Sequence, residues 1–323
     1  MGNNLKKMIT PEEYHQATDD FEPVETFKFH STFSEDSNNG LYFNDFYLPE
    51  EIVTIILNYI PPKQVLKASL VCKKWCNIIK SDSFWSDIYS RQYNKKPKKL
   101  PWYVYYCLLT SDYFDKNLIK NGNGQNQYQH WKIVMNYGDG FRIEDPPCGS
   151  DPLPSDTPEF NGKTSCFATS YYECNKFQDV SLNNRLLRLI FMKYKPHIYL
   201  SEWVAARFDC GSVYRLICKL YGRKQDKTKS RSKTSNEEYS SDDTEEEETE
   251  EPLHVEQKEL RVEQWAGATW SKVEMVVSEY PPGVNRIIFQ HEGRDTQFWK
   301  GHYGSKMAGG VLKILFDSIE PLE

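Results

Sequence analysis

Tyr47-Leu48-Pro49-Glu50-Glu51-Ile52-Val53-Thr54-Ile55-Ile56-Leu57-Asn58-Tyr59-Ile60-Pro61, followed by Ser69-Leu70-Val71-Cys72-Lys73-Lys74-Trp75 and Phe84-Trp85, sets the organisation of this chain. Pro49 with Glu50 and Glu51 behind it suits a first helical turn, where a missing N–H costs nothing and acidic residues favour the positive end of the dipole. Ile52, Ile55, Ile56 and Tyr59 fall at i, i+3, i+4 and i+7, which predicts one apolar helix face ended by Pro61-Pro62. Val71, Trp75, Ile78 and Ile79 repeat that spacing in a second helix. Ser81-Asp82-Ser83 ahead of Phe84-Trp85 reads as the N-cap of a third. Three helices this short bury little core of their own. Their apolar stripes are expected to pack either on the rest of the chain or on a partner.

The 323 residues are 39% hydrophobic and 14% aromatic, enough for one large or two modest domains. No run approaches the roughly 18 apolar residues of a membrane span, and the first residues hold no apolar signal core, so a soluble, intracellular protein is expected. Lys6 stands where an N-myristoylation motif wants Ser or Thr. Eight cysteines, at 72, 76, 107, 148, 166, 174, 210 and 218, include no Cys-x-x-Cys pair, so reduced thiols and no metal site are expected. Ser235 to Glu251 holds ten acids and no Lys or Arg, so the formal charge of −6 divides into −10 there and +4 elsewhere. That balance is no nucleic-acid footprint.

Residues 1–44 mix Asp, Asn, Ser and Glu without a period and read as a disordered leader. The helical region spans 47–93 and a helical linker 94–125, the latter from Trp102 to Leu109 with Tyr113, Phe114, Leu118 and Ile119. Within it, Lys95-Lys96-Pro97-Lys98-Lys99 is either a solvated linker or a nuclear signal. From Trp131 onward, short apolar runs are punctuated by Gly, Pro, Asn and Asp, the texture of β-strands. Tyr214, Leu216, Cys218 and Leu220 alternate with Val213, Arg215, Ile217 and Lys219, a period of two. Ile287-Ile288-Phe289 and Val311 to Phe316 look like better buried strands. No long amphipathic helix interrupts them, so the fold class is α+β and multidomain: helices, then an antiparallel β-sandwich over 126–318. The charged stretch 222–253 cannot repay its ordering by burial and is expected as a disordered insertion between two strands. Ser240 and Ser241, ahead of Asp242-Asp243, sit in a context that suits either an acid-directed kinase or plain solubilisation.

The first segments, in order, resemble an F-box. Asn117 to Asn121, Gly138-Asp139-Gly140-Phe141, Cys166 to Tyr171, Asp209 to Tyr214, Pro282-Gly283-Val284 and Asp295 to Gly304 resemble the F-box-associated (FBA) domain of the sugar-recognising F-box proteins. The resemblance covers about 47–318 without the charged insertion. It implies a jelly-roll-like sandwich of about ten strands in the substrate receptor of an SCF-type ubiquitin ligase. The F-box would dock on a Skp-family adaptor, and through it a cullin, by way of Leu48, Pro49, Ile52, Ile56, Leu70, Val71 and Trp75. The substrates implied are N-linked glycoproteins gripped at their inner chitobiose, retrotranslocated misfolded glycoproteins (ERAD substrates) in the cytoplasm. The site residues carried over are Tyr171, Asp209, Phe298, Trp299 and Lys300. Phe298 stands where the family has Tyr, and the second Trp or Phe that the family often shows near His302 is missing.

The side-chain types suit that role. An indole offers a rigid face to the apolar C–H side of a pyranose, while hydroxyls need polar partners such as Lys300 and Asp209 at the rim. Loops on a rigid sandwich are where such a site is expected. Tyr171 and Tyr172 are adjacent on a strand, and either one is the outward residue. No Gly-x-Ser-x-Gly, P-loop or His-Glu-x-x-His motif occurs and the seven histidines are scattered, so no catalytic residue and no cofactor is expected. An F-box adaptor for a non-glycosylated protein and a carbohydrate-binding module without a ligase role are the competing classes.

Overall fold

The computed structural model describes residues 38–222 and 250–322. Most of the leader (1–37) and of the charged insertion (223–249), with Ser240 and Ser241, lies outside the described residues. The chain forms two compact units. One comprises the residues up to Ile60 and Val65–Ile79, the other Pro61–Gln64 and everything from Lys80 onward.

The first unit opens with a hairpin, β1 (Tyr42–Phe43) and β2 (Phe46–Tyr47), turned through Asn44 at φ 52°. Helix α1 (Glu50–Asn58) follows with Pro49 as its N-cap, where an absent N–H forfeits no helical bond. The helix presents the opposite side to its own unit from the one the periodicity suggests. Val53 and Leu57 are buried, whereas Ile52, Ile55, Ile56 and Tyr59 are exposed. Trp75, in α3 (Lys73–Ile79), donates its indole N–H to the Gly40 carbonyl (2.7 Å) and stacks on Phe43 with centroids 6.0 Å apart, which ties the hairpin down. Gly40 sits at φ 87° against Cys72 and the Trp75 ring, leaving no room for a Cβ.

The region 47–93 holds four helices rather than the three expected: α1, α2 (Pro62–Ala68), α3 and α4 (Asp82–Tyr93). Pro62 does not merely end α1; it opens α2, where its fixed φ suits the first position. Val71 precedes α3 instead of belonging to it.

In the larger unit, the cap of α4 is the one the sequence predicts: the Ser81 hydroxyl accepts the Phe84 N–H at 3.3 Å. Helix α5 is Trp102–Thr110. The linker is helical only there. Residues 111–125 form no helix, Phe114 bridges Ile314, and the Leu118 N–H donates to Leu312. Tyr89, Tyr105 and Phe114 each lie within 6 Å of the Phe316 ring. Lys98 donates to the carbonyls of Asp317 (2.7 Å) and Ile319 (2.9 Å) and to Glu320 (2.7 Å), so this part of the basic cluster is a staple, not a solvated linker.

Among the described residues, two five-stranded antiparallel sheets form the sandwich, ten strands in all. One has the order β10 (Ser271–Val277), β7 (Ile198–Ala205), β12 (Lys306–Ile314), β5 (Cys166–Ala168), β4 (Arg142–Glu144). The other runs β3 (Lys132–Asn136), β6 (Cys174–Ser181), β11 (Arg286–Asp295), β8 (Ser212–Tyr221), β9 (His254–Val262). Tyr214, Leu216, Cys218 and Leu220 are fully buried, as their alternation predicts. Phe167, Leu200, Phe289 and Leu312 fill the same interior, each contributing about 1.5–3 kcal/mol by burial. A helix that the strand reading passed over, α6 (Arg185–Tyr194), lies between β6 and β7. Asn184 caps it, accepting from Leu186 (2.8 Å), and Leu187, Ile190 and Phe191 are its buried stripe at i, i+3 and i+4.

Candidate functional site

Every paired strand in the two sheets joins an odd-numbered to an even-numbered strand, antiparallel. The short β3–β4, β5–β6, β7–β8, β9–β10 and β11–β12 loops cross between sheets and therefore gather at one end. The charged stretch between Tyr221 and His254 is attached at the other end.

Backbone bonds weld these loops together. Asp295 and Gly304, which flank the β11–β12 loop, donate to Ser170 (3.0 Å) and Thr169 (3.1 Å), and Thr296 donates to Gly211 (3.0 Å). The Gln297 side-chain carbonyl accepts the Gly211 N–H (2.9 Å) and the Cys210 thiol (2.8 Å). The Ser170 hydroxyl donates to Gly301 (2.8 Å) and accepts the Asp139 N–H (2.9 Å), which joins the β3–β4 turn. Asp295 is fully buried, and its carboxylate accepts the Phe298 N–H at 2.6 Å. Burial pushes the Asp295 carboxyl above the usual carboxylate range, opposed by the N–H groups of Phe298, Gln297 and Trp299.

This bracing holds Phe298 at φ 58°, a left-handed conformation that phenylalanine rarely adopts. The tip of the loop is turned outward: Phe298 is 57% and Trp299 43% exposed, and Lys300 is exposed beside them. Trp299 meets Tyr303 edge-on (6.1 Å, 88°), and Phe298 meets Tyr172 (6.0 Å, 65°). Of the two adjacent tyrosines it is Tyr172 that stands outward; Tyr171 is half-buried with its ring against Gly138. Asp209 is on the neighbouring β7–β8 loop, largely covered, with one oxygen taken by the Arg207 Nε–H at 2.7 Å. The structure thus places Phe298, Trp299 and Lys300 together on one loop, Tyr171 on a second behind Tyr172, and Asp209 on a third. Of the two tyrosines the sequence left open it selects Tyr172, and it adds Tyr303 and Arg207, which the sequence did not single out. Tyr303 was legible as an aromatic residue beside Gly301 and Gly304, the signal that drew attention to Phe298 and Trp299.

Beneath the loops lies a buried polar network. Lys176 bonds His291, whose Nδ1 pairs with Glu202 (2.6 Å), and Tyr214 donates to the same Glu202 oxygen (2.5 Å). The Trp131 ring stacks on His291 (4.5 Å, 5°), and the Lys176 ammonium lies over Phe167 (3.5 Å), Trp131 and Phe141 (both 4.4 Å). Burial drives the His291 pKa down to about 4, pushes Lys176 well down and lifts the Tyr214 phenol. These groups are sealed from solvent and so cannot serve an exposed ligand directly. Among the described residues no cluster of His, Cys, Asp or Glu is arranged to hold a metal ion, and no helix is long and apolar enough to cross a membrane.

Residues 46–87 match the F-box domain, and residues 109–255 and 245–314 match the F-box associated region. F-box only protein 6 of Mus musculus is 30% identical over 275 residues, covering 83% of this chain and 82% of that protein. F-box only protein 44 of Homo sapiens is 28% identical over 274 residues (83% and 95%), and F-box only protein 27 of Mus musculus 26% over 283 residues (83% and 89%).

Proposed function

Because this chain belongs to the F-box proteins that carry an F-box associated region, we propose that it is the substrate-recognition subunit of an SCF-type ubiquitin ligase directed at N-glycosylated proteins. The chain performs no chemistry in this role; it brings two partners together. On the N-terminal side, the exposed Ile52, Ile56, Leu70 and Val71, with Pro49, form the surface offered to a Skp-family adaptor, with half-buried Leu48 and Trp75 as further members of the set. An apolar helix face left uncovered by its own unit is costly in water and suits a permanent partner.

On the sandwich side, the observation that carries the reading is the rigid display of Phe298 and Trp299 on a loop pinned by buried Asp295. The Trp299 face takes the C–H side of an inner N-acetylglucosamine of the chitobiose core, Lys300 supplies donors at the rim, and Tyr171 and Asp209 shape the adjoining wall. Substrates of this kind are misfolded glycoproteins returned to the cytoplasm. Binding of the full chain to an array of N-linked cores, with Trp299→Ala alongside, tests this. Chitobiose-selective binding lost in the variant is expected, and no selective binding by the well-folded chain overturns the glycan reading.

One observation favours the second reading, an adaptor for a non-glycosylated protein. Asp209 already spends an oxygen on Arg207, which leaves less acceptor capacity for sugar hydroxyls. The same array separates the two, since a protein-directed adaptor binds none of the glycans.

A further inference from the structure

A second pair of large aromatic side chains stands on the same end of the sandwich. Phe208 is 49% and Trp265 71% exposed, from the β7–β8 and β9–β10 loops, with ring centroids 6.4 Å apart. Water-exposed rings of this size, side by side, are unusual on a surface that has no use for them. Their backbones are fixed. The Phe208 N–H donates to Gly149 (2.8 Å), the Ala206 N–H to Gly267 (2.8 Å), and Gly267 packs so closely on Ala206 that a Cβ would lie 2.7 Å from it. Trp265 itself is held at φ 69°.

The pair is continuous with the loop that bears Trp299. Trp299 touches Tyr303 (6.1 Å), the Arg207 guanidinium covers Tyr303 (4.8 Å) and Phe208 (5.6 Å), and Phe208 meets Trp265 (6.4 Å). A ladder of such links is no longer than about seven extended residues of polypeptide. Two polar side chains next to the pair are engaged, Arg207 with Asp209 (2.7 Å) and Gln264 with the Asp209 carbonyl (3.1 Å). A sugar subsite needs several convergent donors and acceptors, whereas apolar side chains need only a desolvating face.

We infer that Phe208 and Trp265 form a second contact surface, which takes apolar side chains of the polypeptide on either side of the glycosylated asparagine. This inference rests on the glycan reading of the Trp299 loop. In a folded glycoprotein such side chains are buried; in an unfolded one they are available, and two linked weak contacts then act as one stronger contact. The pair therefore selects substrates by the state of their polypeptide while the Trp299 loop selects by sugar.

The test uses the full chain and four synthetic ligands: a chitobiose-bearing peptide with Leu and Phe around the asparagine, the same glycopeptide with Gly and Ser there, and each of the two peptides without sugar. Wild type is expected to prefer the first glycopeptide over the second by about tenfold. Phe208→Ala/Trp265→Ala is expected to lose that preference while binding the Gly/Ser glycopeptide within about twofold of wild type. No preference in the wild type, or a preference that survives the double variant, overturns the proposal. Equal weakening toward both glycopeptides overturns it as well, by making the pair a sugar subsite. If removing the sugar leaves affinity unchanged, it is the glycan reading that fails, and the Leu/Phe preference is then scored on unglycosylated peptides. Circular dichroism and thermal melting of the variant confirm folding, and Phe208→Tyr/Trp265→Tyr, which keeps rings in place, is expected to restore most of the preference.

Discussion

The buried Asp295 carboxylate accepts the backbone N–H of Phe298 at 2.6 Å, and so a residue hidden from any ligand sets the direction of the two aromatic side chains that a ligand would meet. With Phe298 at φ 58°, the loop is over-determined by its surroundings and does not adopt that shape on its own account. Asp295→Ala is expected to cost about 1–3 kcal/mol of stability by leaving buried N–H groups unpaired. It is also expected to weaken glycan capture by more than a pure stability loss accounts for. Asp295→Asn, which keeps an acceptor oxygen, is expected to retain most of both. Titration with chitobiose below the melting transition checks the ordering wild type, Asn, Ala; equal binding by all three would show that the loop keeps its form without the carboxylate.

Trp299 is a partly exposed ring at the tip of its loop, meeting Tyr303 edge-on. Trp299→Ala should therefore leave the melting temperature nearly unchanged, within the roughly 0.5 kcal/mol typical of surface changes, and abolish glycoprotein capture. Co-precipitation of a glycoprotein before and after enzymatic deglycosylation, with melting curves of the same preparations, separates the two effects.

Helix α1 divides its apolar residues between two uses, and the division is testable. Ile52→Asp with Ile56→Asp places charge on the exposed face and is expected to abolish co-precipitation of a Skp-family adaptor while the isolated chain melts normally. Val53→Ala, on the buried face, is expected to cost about 1–3 kcal/mol. If the double aspartate variant kept adaptor binding, the outward face would have some other purpose.

These contrasts explain what could be read from the sequence. Local signals survived because local physics produces them: the Ser81 cap, the alternation through Tyr214 to Leu220, and the turn chemistry around Phe298 and Trp299. The period of Ile52, Ile55, Ile56 and Tyr59 announces an apolar face but not which body covers it, and here it turned away from its own unit. Tyr171 and Tyr172 lie in the β5–β6 loop and not on a strand, so no period of two orients them, and the partner loop, through Phe298, decides which is outward. Lys98 looked like solvated charge because its acceptors are carbonyls about 220 residues further along the chain. Helix α6 was legible in Asn184 with Leu187, Ile190 and Phe191, but the surrounding strand texture masked it. Lys176, Glu202, Tyr214 and His291 come from four different strands, so their meeting follows from topology rather than from any motif.

That network makes the sandwich sensitive to acid. His291 has its pKa lowered to about 4, chiefly by burial, while the unfolded chain protonates its histidines near the ordinary value of 6.5. Between those values the unfolded state binds a proton that the folded state refuses, so the stability present above pH 6.5 is lost as pH falls toward 4. Lys176, also pushed down by burial, acts with the same sign. From pH 6.5 to 5 the His291 share amounts to about 2 kcal/mol, at 1.36 kcal/mol per pKa unit. Melting of the full chain is thus expected to shift downward over that interval. His291→Gln, which cannot titrate, is expected to start less stable at pH 7 because its contacts to Glu202 and Trp131 are altered, yet to show a shallower pH slope. The slope is the informative quantity: parallel curves for wild type and variant would assign the acid sensitivity to other groups, whereas a flattened curve would place it in this buried histidine.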